Sequence, residues 1–142
     1  MGSVITDSQV LFNQAGYDGG GVFCSTLTNC TVSSNLALNC GGGAAESTLQ
    51  ECRIIANTGA HGAGASSCVL RQCTVSRNIG SGYGGGVYGG AAKQSILSDN
   101  QAAFGGGAFR SDLTSCAIYR NRATCRGGGD YESDMDRCTG SG

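Results

Sequence analysis

The chain has no proline, no tryptophan and a single histidine, and nowhere runs to the roughly 18 consecutive apolar residues that a membrane helix needs. Each absence removes a class. Glycine supplies 26 of 142 residues, yet without proline or a triplet period the chain is neither collagen-like nor a proline-rich linker. Nine Lys plus Arg are scattered along it and balanced to a net charge of -1. They form no basic patch, so a nucleic acid is not an expected partner. The opening MGSVITDSQV lacks the charged and apolar regions of a signal peptide. No Cys-x-x-Cys pair is present, and His61 stands alone in a loop, so neither zinc nor any other cofactor is expected.

What is present is a repeat. Asn13, Asn35, Asn57, Asn78, Asn100 and Asn121 are spaced by 22, 22, 21, 22 and 21 residues. The last glycines of successive triplets fall at Gly21, Gly43, Gly64, Gly86, Gly107 and Gly129, each of the first five being 14 residues before the next Asn. The interval from Asn to the following glycine is 7 or 8, so one part of the unit is fixed and the other adjustable. Aliphatic Val10, Val32, Ile54, Val75, Leu97 and Ile118 share a column. Two residues earlier stand Ser8, Cys30, Cys52, Cys73, Ser95, Cys116 and Cys138.

A unit of this size cannot bury its apolar face alone, whereas stacked copies share one core. At about 3.3 Å per residue it folds back in two or three short strands and begins again one strand spacing higher. Alternation in Cys30-Thr31-Val32 turns Cys and Val inward. No segment sustains a period near 3.6, which argues against helices. The expected fold is all-β: a right-handed single-stranded parallel β-helix, its hand set by the crossover rule. It has about six and a half coils of 21 or 22 residues in one domain, residues 1–142, and a length of roughly 30 Å. Residues 1–2 and 141–142 read as additions for expression, and the whole as a piece of a longer protein. Glycine and asparagine are expected at sharp bends with positive φ, with stacked Asn amides bonded along the axis.

The motifs GGGVF from Gly19, GGGAA from Gly41, GGGVY from Gly84 and GGGAF from Gly105 accompany VLFN from Val10, VSSN from Val32 and LSDN from Leu97. This pairing resembles the GGA-aliphatic and FxxN repeats of polymorphic outer-membrane proteins and related surface β-helix proteins. The resemblance implies a secreted or surface-displayed stalk or adhesive passenger, in contact with glycans or with a host or neighbouring cell. It carries over no catalytic residue. The solenoid also resembles the architecture of pectin-degrading enzymes.

Five of the nine cysteines lie in one inward column at a strand spacing of about 4.8 Å, longer than the roughly 3.5–4.5 Å between the Cβ atoms of a disulfide. Cys40 and Cys125 sit in the variable loop four coils apart. Mostly free, buried thiols are expected.

Three groups are candidates for chemistry. Arg77, Asp99 and Arg120 fall in one outward column, which places a carboxylate between two cations; the plainer reading is favourable charge pairing. Asp130, Glu132, Asp134 and Asp136 crowd the end of the chain, as a calcium site or, the reading preferred here, as charges protecting an open solenoid end. Tyr88, Phe109 and Tyr131 make a sugar-stacking strip if they face outward and core rings if inward. The expected function is a non-enzymatic spacer or adhesive module, with polysaccharide binding or cleavage as the alternative and end-to-end self-association as a possible partnership of copies.

Overall fold

The structure is a computed structural model that describes residues 2–141; Met1 and Gly142, read above as expression additions, lie outside the described residues. The chain winds as a parallel β-solenoid of about six turns, with no helix among the described residues. One coil shows the plan. Strands Val22–Phe23 and Thr26–Thr28 lie on the first face, Thr31–Ser33 on the second and Leu36–Ala37 on the third, before a loop returns to Ala44–Ala45. Stacking extends these into three parallel sheets of 11, 7 and 6 strands.

The registers reproduce the columns of the sequence. Val32 pairs with Val10 and Ile54, and the row continues through Val75, Leu97 and Ile118. Leu27, Leu49, Leu70, Ala92 and Leu113 form a second row. Both rows and the inward cysteines form one continuous core, with Val10 and Cys138 at its two ends only partly buried. Each coil thus covers the apolar face of its neighbour, the condition a repeat needs for stability.

The bends are built differently from expectation. The six asparagines of the repeat column do not take positive φ; the residue before each one does, in the column Phe12, Ser34, Ala56, Arg77, Asp99 and Arg120. Two further corner columns behave alike: Asp7, Asn29, Glu51, Gln72, Gln94, Ser115 and Arg137, and Cys24, Glu46, Ser67, Gly89, Arg110 and Glu132. All the non-glycine members lie between φ 47° and 59°. The left-handed residue swings the chain through the corner, and the next residue points inward as Ser, Cys or Asn, with Gly90 the exception.

That inward residue has a task. Past the corner its N–H is met by the side chain of its equivalent one coil on: Asn13 N by Asn35 Oδ1 at 2.9 Å, Ser25 N by Ser47 Oγ at 3.0 Å, Cys73 N by Ser95 Oγ at 3.1 Å and Cys116 N by Cys138 Sγ at 3.5 Å. The Ser and Cys side chains also donate to the carbonyl two residues before, as Ser47 does to Ala45 and Cys52 to Gln50. Ser and Cys interchange in these columns because both are small and both can donate and accept.

The asparagines carry this furthest. Asn57 Oδ1 accepts the backbone N–H of Asn35 at 3.0 Å and its amide at 3.1 Å. Its own Nδ2 donates to Asn78 Oδ1 and to the Val32 carbonyl, both at 3.0 Å. Both protons and both acceptor sites are used, as burial requires. The same pattern joins Asn35, Asn78, Asn100 and Asn121.

A left-handed non-glycine residue costs about 1–2 kcal/mol, part of which glycine returns through its larger unfolded entropy. Ala56→Gly at φ 56° on the exposed second corner is therefore expected to stabilise the fold by about 0.5–1 kcal/mol, whereas Ala56→Val destabilises it. Urea midpoints for the two variants check this, and the opposite order would refute the corner assignment.

Candidate functional site

Across each glycine triplet two side-chain columns face one another. One consists of the residue directly before the triplet: Asp18, Cys40, His61, Tyr83, Phe104 and Arg126. The other stands two residues after it: Phe23, Ala45, Ser66, Tyr88, Phe109 and Tyr131, in strand register throughout. The chain turns between them at the first glycine, as at Gly62 with φ 53°, where an added Cβ would stand 2.8 Å from the Tyr88 Cβ. Missing side chains let the columns approach.

The rings face outward from the coil interior, which the alternating Val22, Ala44, Ala65, Val87 and Ala108 occupy. Apart from the half-exposed Phe23 they are largely covered, because the first column lies against them. Tyr88 stacks on Phe109 with centroids 5.6 Å apart, and Phe109 on Tyr131 at 5.7 Å. Opposite them, His61 stacks on Tyr83 and Tyr83 on Phe104, both at 5.2 Å. The rows interlock through His61 and Tyr88 at 5.5 Å, Tyr83 and Phe109 at 4.6 Å, and Phe104 and Tyr131 at 5.9 Å. Phe109, at the bottom, is only 4% exposed, while Tyr83 is 37% exposed.

Beside the interlocked rows lies an open cleft of about 290 Å³ lined by Tyr83, Tyr88, Phe104, Phe109, Tyr131, Arg110 and Glu132. Arg110 belongs to the neighbouring corner column; its guanidinium lies 5.1 Å from the Phe109 centroid and 2.8 Å from Glu132 Oε2. The cleft therefore combines apolar ring surface with a donor and an acceptor side by side.

The sequence anticipates one of the two columns. Tyr88, Phe109 and Tyr131 are brought together as the strip; Tyr83, Phe104 and His61 were missed, and His61, passed over as a solitary loop residue, stacks within the cluster and accepts the Tyr83 N–H on Nδ1 at 3.2 Å. The available signal was their common place directly before the glycines.

The other candidates are arranged otherwise. Arg77, Asp99 and Arg120 do share a column, but at a corner rather than within strands. Asp99 is held by the fork of Arg120, with Nε and Nη2 each 3.0 Å from a carboxylate oxygen. That exposed pair is worth under about 1 kcal/mol. Of the acidic residues at the chain end, Glu132 pairs with Arg110 and Asp136 with Arg137, while Asp134 lies beside Asp112 in register. Asp130 turns to the coil interior, accepting the Ser133 N–H at 3.4 Å. Among the described residues no three His, Cys, Asp or Glu converge to hold a metal ion.

All nine cysteines are free thiols, five of them buried. Cys40 lies in register with His61, one coil from Asp18, an order of residues suggestive of a nucleophile and its base. Burial and then the Asp18 carboxylate push its thiol up, away from thiolate. In the core, the contact with Cys73 and then burial push Cys52 up, and burial raises Cys116.

Burial pushes Cys68 from 9.0 to about 12. Its proton is released from the unfolded chain first, so the thiol's contribution is complete below about pH 9 and is lost as pH rises towards about 12, at about 1.4 kcal/mol per pH unit. Cys68→Ser, which keeps a hydrogen-bonding atom opposite Ser47 N, is expected to flatten the fall in urea midpoint between about pH 9 and about pH 11. An unchanged slope would exclude Cys68 as its source.

No family model matches the chain, and neither a curated protein nor a solved structure matches it. Among the described residues no helix is long and apolar enough to cross a membrane.

Proposed function

We propose that this solenoid is a non-enzymatic spacer and adhesive module of a secreted or surface-displayed bacterial protein. The observation that carries the reading is the aromatic cleft mounted on a coil-to-coil hydrogen-bond ladder. Fully satisfied buried networks favour one rigid arrangement, and a rigid support holds contact residues without further ordering on binding. The likeness of the GGGVF and LSDN motifs to surface β-helix repeats supports the same reading. Of the residues considered for polysaccharide cleavage, Asp99 is held in an ion pair by Arg120.

The test is a panel of immobilised acidic and neutral polysaccharides and whole cells. Retention without new reducing or unsaturated ends is expected. New ends that grow with time would replace the adhesive reading with a lyase or hydrolase, and a protein retained by no polysaccharide and no cell would leave spacer as the function.

A further inference from the structure

The adhesive reading leaves the ligand open, and the cleft limits it. At about 290 Å³ it lies just below the range for small-molecule sites, of about 300–1,000 Å³, which suits one ring of a longer chain. Rings from both columns, packed on one another, line part of it, and the Arg110 guanidinium beside the Glu132 carboxylate lines the rest. A pyranose matches both parts: its C–H face is apolar and packs on aromatic surface, and vicinal hydroxyls need a donor and an acceptor close together.

Charge narrows the choice. Arg110 is already answered by Glu132 at 2.8 Å, so an anionic sugar would have to displace a carboxylate; the pair is exposed and weak, which sets a preference and not a barrier. A cationic peptide would have to displace the guanidinium in the same way, and that also disfavours an aromatic cage for ammonium groups. The paired rim has no net charge to offer either. We infer that the cleft lined on one side by Tyr83, Phe104, Phe109 and Tyr131, and by Arg110 and Glu132, binds a single ring of a neutral glycan chain.

This inference rests on the adhesive reading, and the experiment separates the two. Cellohexaose, xylohexaose and mannohexaose serve as neutral probes and hexagalacturonate as the acidic one, with binding followed by calorimetry and by saturation-transfer NMR on the complete chain. At least one neutral hexaose is expected to bind with a dissociation constant near or below the millimolar range typical of weak association. Tyr83→Ala, on a partly exposed loop position, should weaken it at least tenfold. Glu132→Gln alters an exposed side chain and frees Arg110. It should weaken the neutral hexaose several-fold and strengthen hexagalacturonate by a similar factor.

Binding of hexagalacturonate in preference to every neutral probe would overturn the inference. So would neutral binding that neither variant changes while both keep the wild-type unfolding midpoint. Retention on whole cells with no hexaose bound would sink the glycan assignment and leave the adhesive reading standing. New reducing ends from a bound hexaose would sink the adhesive reading and leave the cleft as the site.

Discussion

Asn57→Asp is expected to unfold the solenoid or leave it barely folded near neutral pH. Asn57 is fully buried, and its Nδ2 donates at 3.0 Å to both Asn78 Oδ1 and the Val32 carbonyl. A carboxylate oxygen in that place turns two donor contacts into contacts between acceptors and buries a charge with no cation beside it. The penalty for a buried unpaired charge is several kcal/mol, a large part of a typical total stability of about 5–15 kcal/mol. Asn57→Ala is milder, yet it orphans the buried Asn35 N–H at about 1–3 kcal/mol. Urea unfolding followed by circular dichroism gives the order wild type, Ala variant, Asp variant. Acidification should narrow the gap between the last two as the new carboxyl takes a proton and regains one donor. Midpoints within error of wild type for both variants would show that the ladder contributes nothing.

Gly43→Ala is the second large effect. A Cβ at Gly43 would lie 2.6 Å from the Gly64 carbonyl oxygen and 2.9 Å from Asn57 Nδ2. Neither neighbour can retreat, since Gly64 O accepts the Ala44 N–H at 3.1 Å and Asn57 is fixed by its four bonds. The coils would have to part, breaking the bond from Gly43 N to Ala63 O as well. A loss of about 3 kcal/mol or more is expected, at the upper end for overpacking. Gly16→Ala is the control, because nothing lies within 4 Å of the added carbon. Equal melting temperatures for the two variants would contradict the close stacking of the triplets.

The columns of this fold were legible because each residue type recurs at one place in the coil. Val32 over Ile54 over Val75 and Asn35 over Asn57 over Asn78 appear in the structure as the spacing predicts. The corners were harder to read, since Asp, Gln, Arg, Ser and Phe share no chemistry that marks a left-handed turn. The mark is an exclusion: Val, Ile and Thr, for which positive φ is a true outlier, occur in none of the three corner columns. The cleft was only half legible. Tyr88, Phe109 and Tyr131 form a column in the sequence, but their facing Tyr83 and Phe104 depends on how the chain turns at the glycines between them. Ala63 shows the limit of the glycine rule as well, being completely buried in the middle of its triplet.

Because corner side chains project into solvent while the next residue does the bridging, each coil can present a different head group with the interior unchanged. Gln94 and Ser115, or Ala56 and Arg77, occupy equivalent stations with nearly the same backbone angle. The outer rows are thus free to diverge, one repeat at a time, into a pattern of charge and shape. In such a lineage, what the surface touches can be rewritten many times over without the molecule having to find a new way to fold.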